Sequence, residues 1–323
     1  MSAALQHPLL DSAQFQGERR EICERTLSDG VRTVLSIHLP SQPQERPVPN
    51  SATILLLPGW SGPRCGPADF LVQLSRALAC QGHYAVRMDL MGRGDATGSF
   101  DACDLDAMIR HAGEVVEYLA EQARFPKNIA VGGICSGSNV ALGLAALKPK
   151  LIQQLLAYSI LPFQPARTKA FERRRRWKNL KQYARKAMKP GTWAKLLRGE
   201  IQMKKVKENL SGSEKKPDAP AAVLQSDASE ICRNSKPDAG RNLKDSARDI
   251  EKELLDWKGR ALLVWGQADE EAGLSERHFR QLHQNGFAGN AKFHTIAQAS
   301  HNFYARSWRD ELEVVTLDFL NSR

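Results

Sequence analysis

Residues 131–146 read VGGICSGSNVALGLAA. An apolar run leads into Gly133-Ile134-Cys135-Ser136-Gly137, and the chain continues in small and apolar residues at helical spacing. A strand that turns this abruptly into a helix holds its middle residue in a strained conformation, and glycines two places before and after keep Cβ atoms out of the way. That middle residue is Cys135, and a strand-turn-helix of the form G-x-nucleophile-x-G displays it at the end of a buried strand. Ser136 is a second candidate, but the residues two places from it are Ile134 and Ser138, and neither is glycine. A free cysteine on a turn can equally be a small buried hydrophobe. Its partners therefore have to decide.

Outward from this turn, apolar runs without alternation begin at 53 (TILLLPGW), 84 (YAVRMDL) and 128 (NIAVGGI), as strands buried on both faces do. Between them lie segments of helical spacing at 68–80 and 105–122, and 136–147 continues the turn. In the second, Leu105, Met108, Ile109, Ala112, Val115, Val116 and Leu119 form one apolar stripe. Strands alternating with helices dictate a mostly parallel sheet with helices on both faces. Upstream, residues 20–39 alternate around Ser28-Asp29-Gly30 as an antiparallel hairpin, followed by a loop containing Pro40, Pro43, Pro47 and Pro49. After a strand at 151–160 the pattern stops, and it resumes at ALLVWGQADEE near 261. We expect a core of 1–162 and 258–323, a basic helical cap at 163–209 and a flexible polar linker at 210–257. In the cap, Trp177, Leu180, Ala184, Ala187 and Met188 share a face, and Thr192 can cap a second helix.

A cysteine nucleophile needs a base and an acid to orient that base, and in this fold they follow the nucleophile as acid and then histidine. VWGQADEE places Asp269 just past a late strand, with Glu270 and Glu271 as competitors, and HTIAQASHNF places His301 in the loop past the last strand. His294 falls within that strand, and the strand ending AYSILPF offers no acid. His301 would take the thiol proton or hold a thiolate as imidazolium, with Asp269 fixing its tautomer. Charge then develops on a substrate oxygen. The Ser136 N–H at the start of the helix is one donor for it, and the loop after LLLPGWSG supplies the other, which we assign to Trp60; the indole can also serve only as a wall. Asp89-Leu90-Met91-Gly92-Arg93-Gly94-Asp95 reads as a D-x-x-G-x-G turn, structural in preference to a substrate contact.

Together these motifs resemble the α/β-hydrolase superfamily across about 50–165 and 258–323. Three stretches are similar to the exosortase-A-system-associated hydrolases: residues 66–98 (GPADFLVQLSRALACQGHYAVRMDLMGRGDATG), 190–201 (PGTWAKLLRGEI) and 300–320 (SHNFYARSWRDELEVVTLDFL). That family also carries cysteine in the turn. The resemblance implies an α/β-hydrolase fold and a bacterial cytoplasmic hydrolase or acyl-transferring enzyme linked to envelope polysaccharide work. The chain departs from the family at PGWSGPR and around 210–246, which bears on the substrate and not on the fold.

Composition narrows the classes further. Charged residues are 25% and apolar residues 42% of the 323, an ordinary globular balance. The N-terminus lacks a basic stretch followed by an apolar one, and no run of about 18 apolar residues occurs, so neither export nor a spanning helix is expected. Six scattered cysteines without a C-x-x-C pair argue against a zinc site or a disulfide framework; a cytoplasmic enzyme without metal or cofactor is expected. The formal charge of +10 is uneven: residues 167–207 hold sixteen Lys or Arg against Glu172 and Glu200, leaving the rest of the chain acidic. This segment reads as a charged lid, as contact with an anionic membrane at the inner face, or as a dock for an acidic carrier, CoA or anionic glycan. Nucleic acid ranks last because no nucleic-acid-binding motif accompanies the charge.

Overall fold

The computed structural model describes residues 9–15, 18–40, 50–163 and 243–322. The chain divides into two units, 1–163 with 230–323 and 164–229, and all described residues belong to the first. The cap expected at 163–209, Trp177 and Thr192 included, therefore lies outside the described residues apart from Phe163.

Nine strands form one sheet: β1 (Leu9–Phe15), β2 (Glu18–Thr26), β3 (Arg32–Pro40), β4 (Thr53–Leu57), β5 (Tyr84–Met88), β6 (Ile129–Ile134), β7 (Ile152–Tyr158), β8 (Arg260–Gly266) and β9 (Asn290–Ile296). Their spatial order is β1-β2-β3-β5-β4-β6-β7-β8-β9. The pairs from β5 onward are parallel, and β1, β2 and β3 extend the sheet antiparallel to one another and to β5. The antiparallel hairpin appears as β2 and β3. β1 was not foreseen.

Helices cover both faces. On one side α2 (Leu105–Glu121), α3 (Ser136–Leu147), α4 (Ile250–Glu253) and α5 (Ala272–Gln284) pack with the larger core cluster. On the other, α1 (Phe70–Cys80) and α6 (Arg306–Asn321) contribute Phe70, Leu74, Leu78, Leu312, Phe319 and Leu320 to a second cluster. The seven stripe residues of α2 are all buried, and Asp104 caps the helix by accepting from Ala107 N–H at 2.8 Å. A Cβ at Gly143 of α3 would strike Ile109 of α2, so glycine here lets the two helices pack closely. No helix among the described residues is long and apolar enough to cross a membrane.

Residues 243–257 differ from the flexible linker expected over 210–257. Ile250, Leu254 and Trp257 are at most 1% exposed, and the Trp257 indole donates to Ile152 O at 2.7 Å while stacking on Phe287. Leu105 N–H donates to Leu243 O at 2.8 Å, and Asp106 accepts from both the Ser246 hydroxyl and Ala247 N–H. Three well-spaced apolar side chains suffice to bury a segment whose average composition is polar. The part of that linker expected at 210–242 lies outside the described residues.

Candidate active site

The site is built at the C-terminal ends of the parallel strands, where open α/β sheets place their chemistry. Cys135 is the first residue beyond β6 and adopts φ 56, ψ −125, a conformation that L-residues avoid. The surrounding bonds hold it there. Cys135 N–H donates to Tyr158 O at 2.8 Å, and the buried Ser138 hydroxyl donates to Gly133 O at 2.6 Å while accepting from Tyr158 N–H. The two flanking glycines are required sterically. A Cβ on Gly133 would come within 2.5 Å of the Gly137 carbonyl carbon, and one on Gly137 would fall on the Leu57 and Pro58 carbonyl oxygens.

His301 arrives from the loop between β9 and α6, and Asp269 from the turn after β8. The His301 Nδ1–H donates to Asp269 Oδ2 at 2.6 Å, which leaves Nε2 for the Cys135 thiol, its other hydrogen-bond partner. Asp269 Oδ1 accepts from Glu271 N–H at 3.1 Å. Of the three candidate acids, Asp269 is thus the one joined to the histidine. Its loop is fixed to its neighbour by Gln267 N–H to Ile296 O and Ala268 N–H to Ala299 O.

Charge in this cluster is displaced in a consistent direction. Burial alone would raise the Cys135 thiol, but the hydrogen bond and positive charge of His301, with the Ser136 N–H, bring it below the ordinary thiol value. Burial alone would lower His301, but hydrogen bonds to Asp269 and Cys135 push it up to about 10. Both shifts favour a thiolate beside an imidazolium.

Ser136 begins α3, so its N–H is among those left free at a helix start and points toward the thiol. Trp60 lies in the loop after β4. A Cβ on Gly59 would sit 3.7 Å from the Cys135 Cβ, so this loop runs directly beside the candidate nucleophile. Gly62 N–H donates to Gly59 O at 3.1 Å, closing a four-residue turn in which the N–H of the second residue, Trp60, has no partner among the described residues.

Two contributors were not visible in sequence. Ser159, just past β7 with φ 48, sits where the strand offered no acid, and its hydroxyl donates to His301 O at 2.7 Å. Arg64, in the same loop as Trp60, ties that loop to Asp89: its N–H donates to Asp89 Oδ1 at 2.7 Å, its guanidinium reaches Asp89 Oδ2, and its Nε donates to Ser36 Oγ at 2.9 Å. Asp89 also accepts from Asp95 N–H at 3.1 Å and is fully buried, so the D-x-x-G-x-G turn is occupied by structural bonds. His294 pairs with Glu311 on the surface, away from this cluster.

A model described as an alpha/beta hydrolase family matches residues 54–314. Solved structures share the fold at low identity. Est1E from Butyrivibrio proteoclasticus with ferulic acid bound is 15% identical, covering 92% of this chain and 99% of that one at a TM-score of 0.55. An esterase from Pyrococcus furiosus is 14% identical, covering 97% and 96% at 0.59. A thioesterase domain from the curacin biosynthetic pathway is 14% identical, covering 92% and 99% at 0.53. No curated protein matches the chain.

Proposed function

Because the chain belongs to the alpha/beta hydrolase family, we propose that it is an enzyme that cleaves esters or thioesters through an acyl-enzyme formed on Cys135. The observation that carries this reading is the His301–Asp269 pair, joined at 2.6 Å, reaching a strained turn cysteine whose thiol it acidifies. The esterase and thioesterase likenesses support the same class of reaction.

The chemistry follows from where charge sits. The Cys135 thiolate attacks the substrate carbonyl, and the oxygen that becomes negative is met by the N–H groups of Ser136 and Trp60. The intermediate collapses as the His301 imidazolium gives its Nε2 proton to the departing alkoxide or thiolate, leaving a thioester on Cys135. Water, or an acceptor amine, hydroxyl or thiol, then attacks that thioester while His301 removes its proton, and the Cys135 sulfur leaves. Asp269 keeps the imidazole in the required tautomer throughout. A thioester intermediate is attacked by amines more readily than an oxyester and exchanges with thioester substrates at little cost. We therefore favour acyl transfer, or hydrolysis of thioesters and activated esters, over peptide cleavage.

The three stretches at 66–98, 190–201 and 300–320 support placement near the exosortase-A-system-associated hydrolases, hence a cytoplasmic role linked to exopolysaccharide. The charge of 167–207 supports an anionic partner, either a carrier-bound acyl group or the inner membrane face. Flotation with anionic and neutral liposomes at low and high salt separates these two.

Mass spectrometry after exposure to a panel of thioesters and esters tests the central reading. An acyl adduct on Cys135 is expected, absent from Cys135→Ala. If Cys135 reacts with thiol reagents no faster than the exposed Cys80, the chain is instead a non-catalytic scaffold on this fold.

A further inference from the structure

The donor we assign to Trp60 has to be held in place, because a loop N–H that wanders gives little to a transition state. Arg93 is built to hold it. Its Nε donates to Trp60 O, its guanidinium carbon lies 4.9 Å from the centre of the Trp60 ring and 4.1 Å from that of Phe100, and the two rings meet edge to face at 6.1 Å. Its Nη1 donates to Met91 O at 2.6 Å, and the remaining nitrogen is buried beside the Cys103 thiol.

Two features make this more than surface packing. Arg93 is only 4% exposed and carries its charge into the interior without a carboxylate partner among the described residues. Burying a cation on backbone carbonyls and ring faces is costly, so its hydrogen bonds are fixed in direction. The residue it grips is also the second of a turn whose own closing bond, Gly62 to Gly59, leaves Trp60 O to Arg93 and Trp60 N–H to the site. The far end of the loop is independently secured, since Arg64 donates to Asp89 and Arg87 Nη1 donates to Arg64 O at 3.1 Å. At the Trp60 end, Arg93 supplies the hydrogen bond to the loop backbone, and Lys244 Nζ lies 5.6 Å from the centre of the Trp60 ring.

We propose that Arg93 is a positioning residue of the oxyanion loop, gripping Trp60 by carbonyl and ring so that its N–H faces the oxygen that becomes negative during acylation of Cys135. The proposal rests on the acyl-enzyme reading. It separates two reactions of one sulfur. Alkylation by iodoacetamide displaces iodide at a saturated carbon, needs only the thiolate and develops no oxyanion. Acylation by an aryl ester or thioester needs the thiolate and the oxyanion donors alike.

The experiment compares the full chain carrying Arg93→Gln, Arg93→Lys or Phe100→Leu with wild type in both reactions at Cys135. Loss of a direct oxyanion donor costs about 10²–10³ in kcat, so a loosened donor should cost roughly tenfold or more. Arg93→Gln is expected to lower the acylation rate by that factor, in kcat with KM little changed, while alkylation keeps its wild-type rate. Arg93→Lys should restore part of the loss. Phe100→Leu removes one ring from the sandwich without stranding a buried charge and should show a smaller loss in the same direction; if thermal melting shows Arg93→Gln unfolded, this variant decides alone. Equal slowing of both reactions, or unslowed acylation, would overturn the proposal. A wild-type chain that alkylates at Cys135 yet never acylates would sink the acyl-enzyme reading and this proposal with it, a result read without any Arg93 variant.

Discussion

Two glycine-bearing turns stand at the C-terminal ends of the strands that flank β4. One presents Cys135 just past β6 and the other presents Asp89 just past β5. In both, a Cβ on glycine would collide with what the turn encloses: the Leu57 and Pro58 carbonyls at Gly137, and the Asp89 carboxylate itself at Gly94. The local geometry is alike, but the polar atoms are treated differently. Both Asp89 oxygens are consumed, by Arg64 and by Asp95 N–H, at a residue with no exposure. Cys135 is only partly buried, its chief partner is a titratable imidazole, and its backbone, not its side chain, carries the structural bonds. A turn whose polar group is saturated is architecture, whereas one that leaves a thiol beside a proton carrier is equipped for chemistry.

The comparison breaks most visibly at the candidate nucleophile. Cys135→Ser should lose at least about 10²-fold in kcat/KM on thioesters with the melting temperature unchanged, because the serine hydroxyl gives no stable anion beside His301; a variant as fast as wild type on simple aryl esters would contradict the thiolate mechanism. Next comes Asp269→Asn, expected to cost about 10²–10⁴ in kcat by allowing the wrong imidazole tautomer, with folding intact by circular dichroism. At the other turn the loss should move from activity to stability. Asp89→Ala leaves the N–H groups of Arg64 and Asp95 without their acceptor and the Arg64 guanidinium with Asp95 as its remaining carboxylate, and should destabilise the chain by about 3 kcal/mol in urea titration.

The smallest effect is one of pH. The Cys135 thiolate should form at lower pH than that of an ordinary cysteine and be lost on acidification, because its thiol lies below the ordinary value while His301 stays protonated up to about 10. Its alkylation rate should therefore level off at lower pH than that of an ordinary thiol. Burial, then the charges of Glu18 and Glu313, raise the Cys80 thiol, so alkylation at Cys80 should still be climbing above pH 9. Parallel profiles for the two cysteines would remove the distinction between a reserved and an idle thiol.

Much of this was readable from the chain because the decisive signals are local. Gly133 and Gly137 bracket Cys135 within five residues, and strand ends mark Asp269 and His301 in order. The distinction between Asp269 and Glu270 or Glu271 was not local, since it depends on which carboxylate the β9–α6 loop meets. Arg64, Arg93 and Ser159 were silent for the same reason. Each acts on a partner brought near only by the sheet order, which sets β5 beside β4 and β7 beside β8. Residues 243–257 were misread because charged neighbours masked Ile250, Leu254 and Trp257 in any window average.

The last of these segments gives the molecule a seam. Phe163, where the chain departs after β7, donates its N–H to Glu251 Oε1 at 3.2 Å, so the points of exit and return are stitched to each other within the core. With both ends already held together, whatever lies between 163 and 243 can be lengthened, shortened or exchanged at only a slowly growing entropic cost. Descent with modification can then retune what reaches the cysteine while leaving the sheet that aims it untouched.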